Sequence, residues 1–115
     1  MKTLRFNKDF ELDFLILGIN SHIKLYKLCW EINKKLHTSF VKNKNHIINN
    51  NQEFERFSYT NKSSEITYNI ISNISTTGYL EPNNKSVNYF MIEQGEIYNT
   101  QKTIERLNQI EDILL

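Results

Sequence analysis

The chain has 115 residues, of which 39% are hydrophobic and 12% aromatic, and a formal net charge of +1. That length supports one domain with a single core that needs no disulfide or metal staple. The aromatic share excludes a disordered chain, and no apolar run approaches the roughly 18 residues of a membrane helix.

Residues 1–10 carry charges throughout and lack the apolar stretch of a secretory signal. Cys29 is the lone cysteine, so no internal disulfide can form and a reducing, cytoplasmic setting is expected. The chain holds 16 Asn, 15 Ile and 11 Lys against three Arg and no Ala. Such a bias follows from an A/T-rich coding background, so lysine content alone says little about nucleic acid.

Residues 12–19 form an almost unbroken apolar run near Gly18, the length of a buried strand. Ser21 is placed to cap a helix over residues 22–37. There Leu25, Leu28, Cys29, Ile32 and Leu36 share one stripe at helical spacing, and Lys24, Lys27, Glu31, Lys34 and Lys35 lie opposite. Residues 38–42 suggest a strand, and an Asn/Lys-rich loop follows. Phe57 and Tyr59 alternate within a half-buried strand at 54–60, and residues 61–64 read as a turn. In the next strand Ile66, Tyr68, Ile70 and Ile74 share one side, with Thr67, Asn69 and Asn73 on the other. Gly78 and Pro82 bracket a short segment at Tyr79 and Leu80. Residues 87–92 are apolar on both faces, as in a central or doubly covered strand.

A last helix is expected from Thr100 to the C-terminus, burying Ile104, Leu107, Ile110 and Leu114 while Glu105, Asn108, Gln109 and Asp112 face water. A helix, several short strands and a second helix predict an α+β fold. Short connections favour an antiparallel sheet of about four to five strands, with one long helix near the N-terminus and one at the C-terminus.

The first helix carries a second band, Ile23, Tyr26, Trp30, Asn33 and His37, beside its aliphatic stripe. A helix apolar over both bands needs more than one neighbour, so a second element or another subunit is expected to shelter Tyr26 and Trp30. Tyr26, Trp30, Asn33 and His37 are the candidate partner or ligand residues. Charge is uneven as well: residues 21–46 hold six Lys and one Glu, a local +5, whereas residues 47–115 balance to −4. Lys24, Lys27, Lys34, Lys35, Lys42 and Lys44 are therefore the nucleic-acid candidates. The cluster lacks Arg, the side chain suited to forked phosphate contacts.

Signs of catalysis are sparse. His22, His37 and His46 lack Cys or acidic partners at ligand spacing, so no metal is expected. Three glycines build no phosphate loop, so no cofactor is expected. Cys29 lies on the aliphatic stripe and should be buried and inert. No residue is assigned a catalytic role.

The segment Glu81-Pro82-Asn83-Asn84-Lys85-Ser86-Val87-Asn88-Tyr89 resembles the signature of the IPExxxVDY family, small bacterial proteins named for that motif. Pro82, Val87 and Tyr89 match it. Glu81 replaces the family's Ile, and Asn83 and Asn88 stand at its acidic positions. Leu17-Gly18-Ile19, the helix from Tyr26 through Trp30 and Asn33 to Leu36, Ser72-Asn73-Ile74 and Gly78-Tyr79-Leu80 are also similar to family segments, so the resemblance covers roughly residues 12–93. It implies no activity. With amides at both acidic positions the segment reads as structural, Pro82 fixing a turn and Val87 and Tyr89 opening a strand.

Three functional expectations follow, in order of preference. The first is a non-enzymatic interaction module that self-associates through the Trp30 flank. The second is an RNA-associated accessory protein using the lysine-rich face. The third is an enzyme or small-ligand pocket lined by Tyr26, Trp30, Asn33 and His37.

Overall fold

The computed structural model of the chain describes residues 3–6, 13–48, 52–95, 100–110 and 113. In chain order these form β1 (Thr3–Phe6), β2 (Asp13–Ile19), α1 (Leu25–Leu36), β3 (Val41–Lys42), β4 (His46–Ile48), β5 (Gln52–Phe54), β6 (Arg56–Asn61), β7 (Ile66–Ser72), β8 (Ile74–Ser75), β9 (Gly78–Tyr79), β10 (Tyr89–Gly95) and α2 (Thr100–Asn108). The fold is α+β. Its main sheet runs β1-β2-β10-β7-β6-β3 with every pair antiparallel. Five strands are substantial and β3, at one edge, has two residues. β4–β5 and β8–β9 are separate two-stranded ribbons. No described helix is long and apolar enough to cross a membrane.

Register explains the core. Leu17, Met91, Ile70 and Phe57 stand in one row across β2, β10, β7 and β6, and Leu15, Glu93, Tyr68 and Tyr59 form the next. Alternation sends both rows to the same face. There Leu25, Leu28, Cys29 and Ile32 of α1 and Ile104 and Leu107 of α2 close one apolar cluster with Leu15, Leu17, Ile70 and Met91. Each aliphatic side chain fully buried in this way contributes about 1.5–3 kcal/mol. The opposite face buries Ile71 and Phe90, and Phe54 is buried in the β4–β5 ribbon. The run at 87–92 is thus apolar on both sides because β10 lies centrally in the sheet, between β2 and β7, and buries Met91 on one face and Phe90 on the other.

Several sequence expectations need correction. The helix begins at Leu25 rather than 22, and Lys24, not Ser21, is its cap residue, without a side-chain hydrogen bond. Ser21 is held elsewhere: its backbone N–H donates to Asn88 Oδ1 at 2.8 Å, which pins the chain short of the helix. The strand at 54–60 is two strands broken at Glu55. Ile74 does not continue the inner side of β7, because the chain bends at Asn73 and leaves Ile74 exposed while Asn73 is buried. β1 was not foreseen, since its pairing with β2 is invisible in a charged N-terminal stretch.

α2 buries Ile104 and Leu107 and exposes Glu105 and Asn108, as its period requires. It ends at Asn108 rather than at the C-terminus. The N–H groups of Gln109, Ile110 and Ile113 each reach the carbonyl three residues back at 3.1 Å, so the chain tightens beyond the helix. Ile110 and Ile113 are buried there; Asp112 and Leu114 lie outside the described residues.

Candidate functional site

α1 lies on the sheet with a narrower buried arc than its composition suggested. Leu25, Leu28, Cys29 and Ile32 are buried, but Tyr26 and Trp30 are 63% and 55% exposed. The expectation that another element of the chain shelters them is overturned. The sheet covers only the stripe that faces it, and α2, which packs alongside α1, leaves the two rings exposed. Tyr26 and Trp30 are four residues apart and so occupy neighbouring positions on the outer surface of the helix. Lys34 places its ammonium 3.8 Å from the centre of the Trp30 ring.

Asn33 is spent on the chain itself. Its Oδ1 accepts from the Thr38 hydroxyl and the Phe40 N–H, both at 2.8 Å, and its Nδ2 donates to the Phe40 carbonyl at 3.1 Å. One amide thereby fixes the exit from α1. His37 is exposed and takes the left-handed conformation (φ 56°) that ends the helix, its N–H donating to the Asn33 carbonyl. Tyr26, Trp30, Asn33 and His37 thus have separate surroundings: two exposed rings, one loop clamp and one helix end.

The lysines divide in the same way. Lys24, Lys27, Lys34 and Lys35 are exposed on or beside α1. Lys42 and Lys44 lie at the β3 edge, where the Lys42 ammonium is 3.3 Å from a Glu55 carboxylate oxygen. That pairing takes Lys42 out of the unpaired positive surface.

A second feature was not foreseen from the sequence. Between the end of α1, the β6–β7 pair and α2 lies a cavity of about 160 Å³. Phe40, Tyr59 and Tyr68 line it and contact one another, with ring centres 5.6–6.2 Å apart. His37 and Arg106 also line it. Beside Tyr68 on β10 sits Glu93, 1% exposed, whose Oε1 has no hydrogen-bond partner. Burial pushes its carboxyl up to about 7. Burial, then the Glu93 charge, raises the Tyr68 hydroxyl. Glu93 was legible only by counting two residues on from Met91 along a strand, where a charged side chain reads as outward-facing.

Cys29 is buried and its thiol is pushed up to about 12, chiefly by burial and then by Glu55, so it remains a neutral thiol. Among the described residues no group of three or more His, Cys, Asp and Glu is placed to hold a metal.

The segment around Pro82 is organised by amides. Pro82–Asn84 forms one turn of 3-10 helix, with Glu81 accepting from the Asn83 N–H. The Asn73 side chain is fully buried; it donates to the carbonyls of Asn84 and Val87 at 2.9 and 2.8 Å and accepts from the Glu81 N–H at 2.8 Å. Asn88 accepts from Ser21, and the Tyr89 hydroxyl donates to the Ile23 carbonyl at 2.6 Å. Val87 closes on β2: a Cβ built at Gly18 would meet its Cγ1 at 3.3 Å. The segment therefore ties β10 to the turn before α1. Comparison of the chain with family models and with curated proteins gives no match in either.

Proposed function

We propose that the protein is a non-enzymatic interaction module that self-associates through the outer surface of α1. The observation that supports this reading is the exposure of Tyr26 and Trp30 side by side on a helix whose opposite face is fully packed. Aromatic side chains of this kind are the usual anchors of protein interfaces, because they bury large area and keep a polar tip. With a two-fold axis near Trp30, two antiparallel copies of α1 stack their aromatics and set Glu31 of each against the lysines of the other. The remaining excess of Lys at this surface opposes pairing, so added salt strengthens the dimer. Sedimentation at rising concentration tests this: wild type shifts to dimer, whereas the double variant Tyr26→Ser, Trp30→Ser stays monomeric. A wild type that is monomeric throughout removes the proposal.

An RNA-associated role is the second reading, favoured by the exposure of Lys24, Lys27, Lys34 and Lys35 along one helix. It carries the opposite signature, since phosphate binding weakens as salt rises. The ammonium of Lys34 also occupies one face of the indole on which a base would stack. We further propose that the chain is a divergent bacterial, cytoplasmic member of the IPExxxVDY family. The roles of Pro82, Val87 and Tyr89 in one tied segment, and of Asn88 as an acceptor, support that reading.

A further inference from the structure

The cavity beside α1 has chemistry that the outer helix surface does not share. Its volume of about 160 Å³ is that of a single six-membered ring: an engineered apolar cavity of about 150 Å³ holds benzene. Phe40, Tyr59 and Tyr68 supply three aromatic surfaces in mutual contact. Among the described residues that line it, Arg106 and His37 are the two able to carry positive charge, and none is a carboxylate. The Arg106 guanidinium is exposed and makes no ion pair with a described residue. With respect to the described residues its fork of donors is therefore free for a planar anion. The carbonyl end of α1 carries partial negative charge close to His37, which favours Arg106 over His37 as the anchor.

We propose that this cavity binds a small ring-bearing carboxylate, the ring against Phe40, Tyr59 and Tyr68 and the carboxylate on Arg106. The nearest buried acid does not oppose an anion, because Glu93 is held largely protonated by burial in mildly acidic solution. Tyr68 likewise keeps its proton and remains a donor.

The test is a titration of the isotope-labelled full chain with benzoate, followed by amide shifts in the NMR spectrum, in parallel with benzamide and with inorganic phosphate. Saturable shifts around Phe40, Tyr59, Tyr68 and Arg106 at millimolar benzoate are expected. Benzamide, which keeps the ring and loses the charge, should bind about tenfold or more weakly, as should Arg106→Met with benzoate. Arg106 is exposed, so that variant keeps its fold, and the benzamide arm needs no variant. No saturable shift with benzoate overturns the proposal, as does equal binding of benzamide or of the Arg106→Met chain. Phosphate binding as tightly as benzoate overturns the role of the ring. Tyr26→Ser, Trp30→Ser leaves benzoate binding unchanged, which separates this site from the proposed dimer surface.

Discussion

The ammonium of Lys34 lies 3.8 Å from the centre of the Trp30 ring, one helical turn further along the exposed side of α1. The contact involves a half-exposed indole, so its worth to the monomer is small, about 0.5–1 kcal/mol. Trp30→Ala should lower monomer stability by no more than about 1 kcal/mol, whereas Leu28→Ala or Ile32→Ala, both fully buried, should cost about 2–5 kcal/mol. Urea unfolding at low protein concentration measures the difference. A Trp30→Ala loss as large as that of Leu28→Ala would place the indole in the core.

Asn73 holds three loop groups with one buried amide. Asn73→Ala takes the side-chain partner from the Val87 carbonyl and the Glu81 N–H, at about 1–3 kcal/mol for each group left dry, whereas the Asn84 carbonyl still accepts from the Val87 N–H. Asn73→Asp keeps the acceptor and loses both donations, so it should also destabilise. Denaturant midpoints for the two variants check this; an Asp variant equal to wild type would show that the donations are idle.

Asn88 behaves differently, because its Oδ1 accepts from the Ser21 N–H at 2.8 Å and its side chain makes no donation among the described contacts. A carboxylate fills that role, so Asn88→Asp should leave stability within about 1 kcal/mol of wild type at neutral pH. Asn88→Ala should lower it by about 1–2 kcal/mol. Equal loss in both variants would count against the acceptor role.

Gly18 and Val87 form a tight contact that a double-mutant cycle can read. Gly18→Ala puts a methyl 3.3 Å from a Val87 methyl and should destabilise, whereas Val87→Ala opens the space that the new methyl needs. The pair should therefore couple favourably, by about 0.5–3 kcal/mol. Additive losses would mean that the two positions do not touch.

Glu93 gives the fold a defined pH response. Its carboxyl titrates near 7 when folded against 4.5 ordinarily, so the native state binds an extra proton between those values. Stability from this group is fully present below 4.5 and is lost as pH rises through about 7, a total of roughly 3 kcal/mol. Glu93→Gln should abolish that slope and gain on wild type as pH increases. Melting temperatures of both proteins between pH 4.5 and 8 measure it, and parallel curves would show that Glu93 does not titrate there.

The buried stripe of α1 was legible because Leu25, Leu28, Cys29 and Ile32 repeat at helical spacing, and that period alone decides which side meets a sheet. Period fixes an angle on the helix, not how far the neighbouring layer extends around it, so Tyr26 and Trp30, expected to be sheltered, stand exposed. Phe57, Tyr59 and Tyr68 were readable as alternating strand residues. The meeting of Tyr59 and Tyr68 with Phe40 and Arg106 depends on pairing between strands and on how α2 lies over them, which no local pattern encodes. Asn73 was placed on a polar side by alternation; only the bend after β7 turns it inward to serve the Pro82 segment.

Trp30 is the chain's single tryptophan, and its emission reports directly on what covers it. Across a dilution series, self-association through α1 predicts red, solvent-like emission when dilute and a blue shift on concentration, appearing at lower protein concentration as salt is added. An emission maximum that stays solvent-like at every concentration and salt level would contradict the account.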